Sequence, residues 1–270
     1  METPLIVAHR GECYAAPENT MASFELAWKN HDAAIELDIH LTLDGKVVVC
    51  HDADTFRTSG NKTRVVLKSS TLAEIQKVDV GSFRGAQHAG QHCPALDAVY
   101  AAMPDTTQCY TELKSGIDVL PAFIEVLERS GRKPEQIVVI SFHADALAAS
   151  KQALPRLKHH LLGNYRQDPK TGNWRERPNI DDFIEQAQEI GADGVNMAAQ
   201  SPMDAAACRK VRDAGLELHI WSTSATTQAD SSTDDPKIAA EYVSWGAQSL
   251  TVNRAHWLAE QLKQNSAGRR

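Results

Sequence analysis

The chain has 270 residues, of which 42% are hydrophobic and 23% charged, with 28 basic and 35 acidic residues and a net charge of −7. That composition belongs to an ordinary globular protein, and the length suits a single α/β barrel of about 250 residues. The acidic balance and the lack of a basic stripe argue against nucleic acid as a partner.

The apolar run Leu5 to Ala8 is too short for a signal peptide and has no basic segment before it. No stretch approaches the roughly 20 apolar residues of a membrane span, so no stable membrane association is expected. Cys13, Cys50, Cys93, Cys109 and Cys208 are odd in number and scattered, without a CxxC pair. Reduced thiols and a cytoplasmic location are the simplest expectation.

Leu5 to Ala8 reads as a strand ending in His9-Arg10-Gly11, a strand-to-helix loop. Asn19 or Thr20 caps a helix that begins at Met21. In Ile35 to Leu41, Glu36, Asp38 and His40 alternate with Ile35, Leu37, Ile39 and Leu41, which predicts a strand with an acidic face and an apolar back. Asp44-Gly45 marks a hairpin turn, and Val47 to Val49 return toward His51 and Asp52. With a two-residue loop, Leu43 pairs with Lys46 and Asp38 faces His51, with Cβ atoms roughly 5 Å apart. A longer loop shifts this register.

Thr71 and Glu74 form a capping box ahead of a short helix, and Pro94 to Met103 form another. Gln108 to Lys114 is a strand with Tyr110, Glu112 and Lys114 on one face. From there a unit of helix, glycine and strand recurs, with helices closing at Gly131, Gly191, Gly215 and Gly246. Ser201-Pro202 and Asp235-Pro236 each read as a cap followed by a first-turn proline. Strands are expected at 5–8, 34–41, 108–114, 137–142, 159–162, 194–198, 216–221 and 249–252. Eight strands alternating with helices predict a TIM (β/α)8 barrel, here one domain over 1–270. Neither GxGxxG nor GxxxxGK[ST] occurs, so a nucleotide-binding doubly wound sheet lacks its signature.

Active sites of such barrels lie at the C-terminal strand ends. Those ends carry His9, Arg10, Glu36, Asp38, Glu112, Lys114, Ser141, His143, Asn196, Trp221, Asn253 and Arg254. Glu36, Asp38 and Glu112 are hard oxygen donors suited to Mg²⁺ or Ca²⁺ rather than Zn²⁺. The plainer reading pairs Glu36 and Glu112 with Arg10 and Lys114 as ion pairs at the barrel mouth. Three close carboxylates repel one another without a proton or cation between them. Arg10 and Lys114 beside a divalent ion would seat a phosphoryl group. His9 and His51 suit general acid–base roles. His40 reads as a supporting residue, and His143, His159, His160 and His219 as structural. Cys50 and Cys109 read as packing residues, whereas Cys13, just after His-Arg-Gly, is a candidate for exposure to substrate.

HRG at 9–11, PENT at 17–20, ELDIHLTLDG at 36–45, HD at 51–52, TELK at 111–114, SF at 141–142, Trp221 and the strand ending at Asn253 together resemble the glycerophosphodiester phosphodiesterases, in their compact bacterial form. The resemblance covers essentially the whole chain. It implies a TIM barrel with a small insertion after the second strand, here at about 52–107, with His9 and His51 as the acid/base pair and Glu36, Asp38 and Glu112 as ligands of a divalent cation. It places Arg10 and Lys114 near the phosphate and Trp221 on the substrate pocket. The implied reaction hydrolyses glycerophosphodiesters, a small-molecule substrate, to glycerol 3-phosphate and an alcohol, with the glycerol 2-hydroxyl as a possible first nucleophile. Two departures concern substrate choice: Ser222-Thr223-Ser224 and a polar loop, Ala225 to Asp234, follow Trp221, and Asn253 stands where an Asp is common. The alternatives are action on lysophospholipid-type diesters and a non-catalytic barrel that binds a phosphate ester.

Overall fold

The computed structural model describes residues 4–31, 34–200, 202–222 and 232–267. Eight parallel strands close into a barrel: β1 (Leu5–Ala8), β2 (Ala34–Leu41), β4 (Cys109–Leu113), β5 (Ile137–Ser141), β6 (Lys158–Gly163), β7 (Gly194–Ala198), β8 (Glu217–Trp221) and β9 (Ser249–Val252). The first and last strands pair along Leu5–Ala8 and Ser249–Val252, and β1 meets β2 on its other side. The expected TIM barrel is therefore the observed fold. Helices α1 (Met21–His31), α4 (Leu120–Ser130), α5 (Ala144–Ala153), α6 (Ile180–Ile190), α7 (Ala205–Asp213), α8 (Pro236–Ser244) and α9 (Ala255–Ala267) each follow a barrel strand. Between β2 and β4 lie β3 (Val47–Val49), α2 (Leu72–Ile75) and α3 (Leu96–Ala102). That segment has its own small apolar cluster, including Val48, Cys50, Leu67, Ile75, Val80 and Cys93.

The alternation in β2 does what a period of two requires. Ile35, Leu37 and Ile39 are fully buried in the main core between barrel and helices. Each such side chain contributes roughly 1.5–3 kcal/mol of burial. Glu36 and Asp38 thereby turn into the lumen. The same parity lines the lumen from Val7 to His9 on β1, Tyr110 to Glu112 on β4, and Lys158, His160 and Leu162 on β6. A small apolar layer of Val7, Ala34, Tyr110, Val138, Ile140 and Leu162 fills the middle of the lumen.

Two expectations need correction. The hairpin pairs Ile39 with Val49, His40 with Val48 and Leu41 with Val47, so Asp38 faces Cys50 rather than His51. The reason is a three-residue loop: Lys46 carbonyl accepts from Thr42 N–H at 2.9 Å, Gly45 N–H bonds Thr42 carbonyl at 3.1 Å, and Gly45 takes φ 70°. Leu43, Asp44 and Gly45 thus form the loop, a turn closed by a left-handed glycine. The second correction is at α7, where the N-cap is Asp204, whose carboxylate accepts from Ala206 and Ala207 N–H, both at 2.9 Å. Ser201 lies outside the described residues. Asp235 caps α8 as expected, with Pro236 in the first turn.

Helix α6 shows how strongly local chemistry sets an element. Asn179 accepts from Asp181 and Asp182 N–H, and Asp182 accepts in return from Asn179 N–H at 2.7 Å. Gly191 ends the helix at φ 72°. Asn179→Ala should lower stability by about 1 kcal/mol, read as a lower urea midpoint with an unchanged slope; an unchanged midpoint would show that this cap adds nothing.

Candidate active site

The C-terminal rim of the barrel gathers the acidic residues of two neighbouring strands. Asp38 on β2 pairs in register with Glu112 on β4, and Glu36 sits two residues earlier on the same face. One oxygen from each of Glu36, Asp38 and Glu112 lies within 4.8 Å of the others, and all three residues are buried. Burial, with the charges of Asp38 and Glu112, pushes the Glu36 carboxyl well above its usual range. Burial and Asp38 push Glu112 up to about 8. Burial alone would raise Asp38 too, but Arg10, His51, Lys114 and an Asn19 hydrogen bond hold it well below the carboxylate norm. Fully ionised, the trio would carry more negative charge than its protein partners neutralise. Asp38 Oδ1 is buried without a hydrogen-bond partner. Hard oxygen donors at this spacing, with one oxygen uncommitted, fit a hard divalent cation.

The loop after β1 supplies the balancing groups. Arg10 and Gly11 take φ 54° and 77°, which reverses the chain abruptly. A Cβ on Gly11 would lie 2.7 Å from the Ser23 carbonyl carbon, so only glycine fits this turn. The reversal aims Arg10 N–H at Glu36 Oε2, 2.9 Å away. Arg10 Nη1 donates to Glu18 at 2.8 Å, and its Nε lies 3.5 Å from Asp38 Oδ2. Asn19 Nδ2 donates to Asp38 Oδ2 at 2.8 Å. Lys114 Nζ stands 3.0 Å from Glu112 Oε1 and 3.6 Å from Asp38 Oδ1.

His9 Nε2 lies 4.0 Å from Glu36 Oε2. Its Nδ1 lies 2.7 Å from Asn253 Oδ1. Asn253 Nδ2 donates to Asp234 Oδ2 at 2.8 Å, so its carbonyl oxygen must face His9. His9 then carries its proton on Nδ1, and Nε2 presents a lone pair to the rim. Burial, helped by Arg10, lowers the His9 pKa to about 4. Asp234 itself is fully buried and accepts from Asn253 and Arg254 N–H, both at 2.9 Å.

His51 stands just beyond β3. Its Nδ1 is 2.7 Å from Asp52 Oδ1, and Arg57 Nε donates to Asp52 Oδ2 at 2.7 Å. Arg57 also donates to both Glu18 oxygens, at 2.7 and 2.8 Å. His40 Nε2 approaches the His51 carbonyl at 3.2 Å and its Nδ1 the Ser115 hydroxyl at 3.1 Å, a supporting position. A hydrogen bond from His51 to Asp52, followed by ion pairs through Arg57 and Glu18, thus runs to Arg10. Trp221 closes the end of β8, its Nε1 donating to Gly163 carbonyl at 3.3 Å, with Phe142 packed edge-on at 6.0 Å. Phe142 remains 41% exposed, which leaves an open aromatic corner at the rim.

His9, Arg10, Glu36, Asp38, His51, Glu112, Lys114 and Trp221 all stand at this end of the barrel. Sequence reasoning missed Glu18 and Arg57 as the bridge, and saw Asn19 only as a cap although it holds Asp38. The capping role falls to Thr20, whose Oγ1 accepts from Ser23 N–H at 3.4 Å. Cys13 is partly buried; burial pushes its thiol up, and its Sγ approaches Asn253 Oδ1 at 3.4 Å. The residues 223–231 of the polar loop lie outside the described residues.

The model of the glycerophosphoryl diester phosphodiesterase family matches residues 9–255. The chain belongs to that family. It is 37% identical over 162 residues to a glycerophosphodiester phosphodiesterase of Caldanaerobacter subterraneus, covering 58% of this chain and 66% of that one. It is 36% identical over 170 residues to one from Bacillus subtilis, covering 57% of each. The chain thus spans less than two thirds of the length of these curated relatives. In fold it is similar to an Oleispira antarctica phosphodiesterase solved with the product sn-glycerol-3-phosphate, with a TM-score of 0.80 at 21% identity, covering 96% of this chain and 97% of that one. No helix among the described residues is long and apolar enough to cross a membrane.

The bridge makes a titration prediction. Burial would raise Glu18, but the Arg57 and Arg10 hydrogen bonds and charges lower it to about 2 from an ordinary 4.5. A carboxyl lowered on folding adds stability that is complete above about pH 4.5 and is lost as pH falls toward 2. Glu18→Gln should therefore destabilise by roughly 1–3 kcal/mol at pH 7, and the gap from the parent should close between those pH values in denaturant melts. A gap independent of pH would refute the pairing.

Proposed function

We propose that this chain is a cation-dependent phosphodiesterase that cleaves glycerophosphodiesters to sn-glycerol 3-phosphate and an alcohol. The observation that carries the reading is the tautomer of His9, fixed by Asn253 with a lone pair on Nε2 directed at the buried carboxylate trio. Family membership and the product held by the Oleispira antarctica phosphodiesterase support it.

Glu36, Asp38 and Glu112 would hold Mg²⁺ or Ca²⁺. Such a cation supplies Lewis-acid polarisation of phosphoryl oxygens and acidifies a hydroxyl placed beside it. The Arg10 and Lys114 cations complete an electropositive seat for the phosphodiester monoanion. His9 Nε2 accepts the proton of the attacking hydroxyl, which is the glycerol 2-hydroxyl or water. Asn253 keeps His9 oriented while the ring takes up that proton. His51 donates from Nε2 to the leaving alcohol oxygen, and Asp52 offsets the positive charge on the ring before transfer. If the 2-hydroxyl attacks first, a cyclic phosphate forms and water opens it with the two histidines in exchanged roles. Trp221 and Phe142 wall the entrance and contact the glycerol or head-group carbons.

The test is release of sn-glycerol 3-phosphate from glycerophosphocholine with Mg²⁺ or Ca²⁺, with and without EDTA. No cleavage of any glycerophosphodiester with either ion would end the proposal. His9→Ala and His51→Ala should each reduce kcat by about 10²–10⁴-fold with the far-UV spectrum unchanged; full turnover in either would remove that histidine from proton transfer. Glu112→Gln should raise the cation concentration needed for half-maximal rate. Trp221→Ala should raise KM more than it lowers kcat, as for a contact equal in ground and transition states.

A further inference from the structure

The lumen holds a second polar cluster at its opposite, N-terminal end. Lys158 and His160 face inward from β6, and Glu217 and His219 from β8. His160 Nε2 lies 3.1 Å from Glu217 Oε2, and His219 Nε2 lies 3.5 Å from the same oxygen. The two imidazoles stack with centroids 4.1 Å apart. One ligand atom from each of the three residues lies within 4.8 Å of the other two. A tetrahedral ion bound at roughly 2.0–2.1 Å by nitrogen and oxygen spaces its ligand atoms about 3.3 Å apart. The two measured separations bracket that value.

A second, independent observation points to a ligand. His219 is only 4% exposed, yet its Nε2 is a buried nitrogen with no hydrogen-bond partner. Its other nitrogen, Nδ1, is held by the Ser249 hydroxyl, with the Tyr110 hydroxyl 3.5 Å away. A hydroxyl that fixes one ring nitrogen and leaves the other aimed at a carboxylate is how proteins orient a metal-binding imidazole. His160 likewise keeps one buried nitrogen, Nδ1, unpartnered. A cavity of about 160 Å³, lined by Tyr110, Lys158, Glu217, His219 and Ser249 among others, reaches the cluster and has room for water. Burial lowers the pKa of both histidines.

We propose that His160, Glu217 and His219 form a binding site for a borderline divalent cation of the Zn²⁺ class at the N-terminal mouth of the barrel. Two imidazoles and one carboxylate favour such an ion over Mg²⁺ or Ca²⁺, the reverse of the all-carboxylate trio at the other end. Lys158 Nζ pairs with Glu217 Oε1, the oxygen turned away from the imidazoles, and leaves Oε2 to the ion. The ion would cross-link β6 and β8, which are separated by β7, and so stabilise the barrel rather than take part in the rim chemistry.

The experiment uses the full chain, stripped with a chelator and then held in excess Mg²⁺ so that the carboxylate trio is saturated. Co²⁺ is titrated as the probe. The expected result is one equivalent of Co²⁺ giving the intense visible absorption of a low-coordinate, nitrogen-ligated ion, displaced by Zn²⁺. Glu112→Gln should leave that band intact. His219→Gln and the milder Glu217→Gln should each weaken Co²⁺ binding at least tenfold, and Zn²⁺ should raise the Tm of the parent but not of these variants. Absence of the band in the parent overturns the proposal without recourse to any variant. So does a band that Glu112→Gln abolishes, or one that Glu217→Gln leaves unchanged in a folded chain.

Discussion

Everything at the C-terminal rim answers one electrostatic problem: three buried carboxylates share a space a few ångströms wide. Buried as they are, water screens their repulsion poorly, so the protein must supply positive charge or leave protons in place. Arg10, Lys114 and the Asn19 amide neutralise Asp38, while Glu36 and Glu112 remain under-compensated. The strained turn at Arg10-Gly11, the Asn19 hydrogen bond and the Glu18 bridge all make sense as devices that hold cations and donors against this charge. The residual imbalance is what makes the cluster receptive to a divalent ion.

The barrel separates that problem from the opposite end of the lumen. The apolar layer of Val7, Ala34, Val138, Ile140 and Leu162, with Tyr110, stands between the carboxylate trio and the His160–Glu217–His219 group. Each polar group is therefore built from a different residue vocabulary and on different strands, β2 and β4 at one end and β6 and β8 at the other. β4 contributes Tyr110 to one end and Glu112 to the other; β8 contributes His219 and Trp221. Strand parity alone places both members of each pair in the lumen.

Much of this was legible in the amino-acid sequence, for physical reasons. Strand β2 announced itself because its carboxylates alternate with Ile and Leu, and no other element buries both sets so economically. Gly131 and Gly191, the Asp235 cap and Pro236 mark helix ends through backbone chemistry that does not depend on tertiary context. The hairpin register was misread because Asp-Gly is compatible with either loop length, and only Gly45 as the left-handed third residue separates them. The N-cap of α7 was misplaced because Ser201-Pro202 and Asp204 are both good starts, and packing chose the latter. The Arg57–Glu18 bridge and the Asp234–Asn253–His9 relay were invisible because their partners are far apart in sequence. No periodicity links Asp234, in a short 3-10 turn before α8, to a histidine at the end of the first strand.

That relay has a consequence for how the barrel comes into being. His9 and Asn253 are separated by 244 positions, yet their hydrogen bond sets which nitrogen of His9 bears the proton. Until β9 docks beside β1, the His9 ring has no partner to choose its tautomer, and Glu36 faces an imidazole of undefined polarity. The contact is among the longest-range in the molecule, and loop-closure entropy places such contacts late in folding. A chain emerging from a ribosome would acquire its carboxylate trio once β4 is made, but its oriented His9 imidazole only when the final strand seals the ring. An ordered His9 ring is thus a report that the barrel is closed.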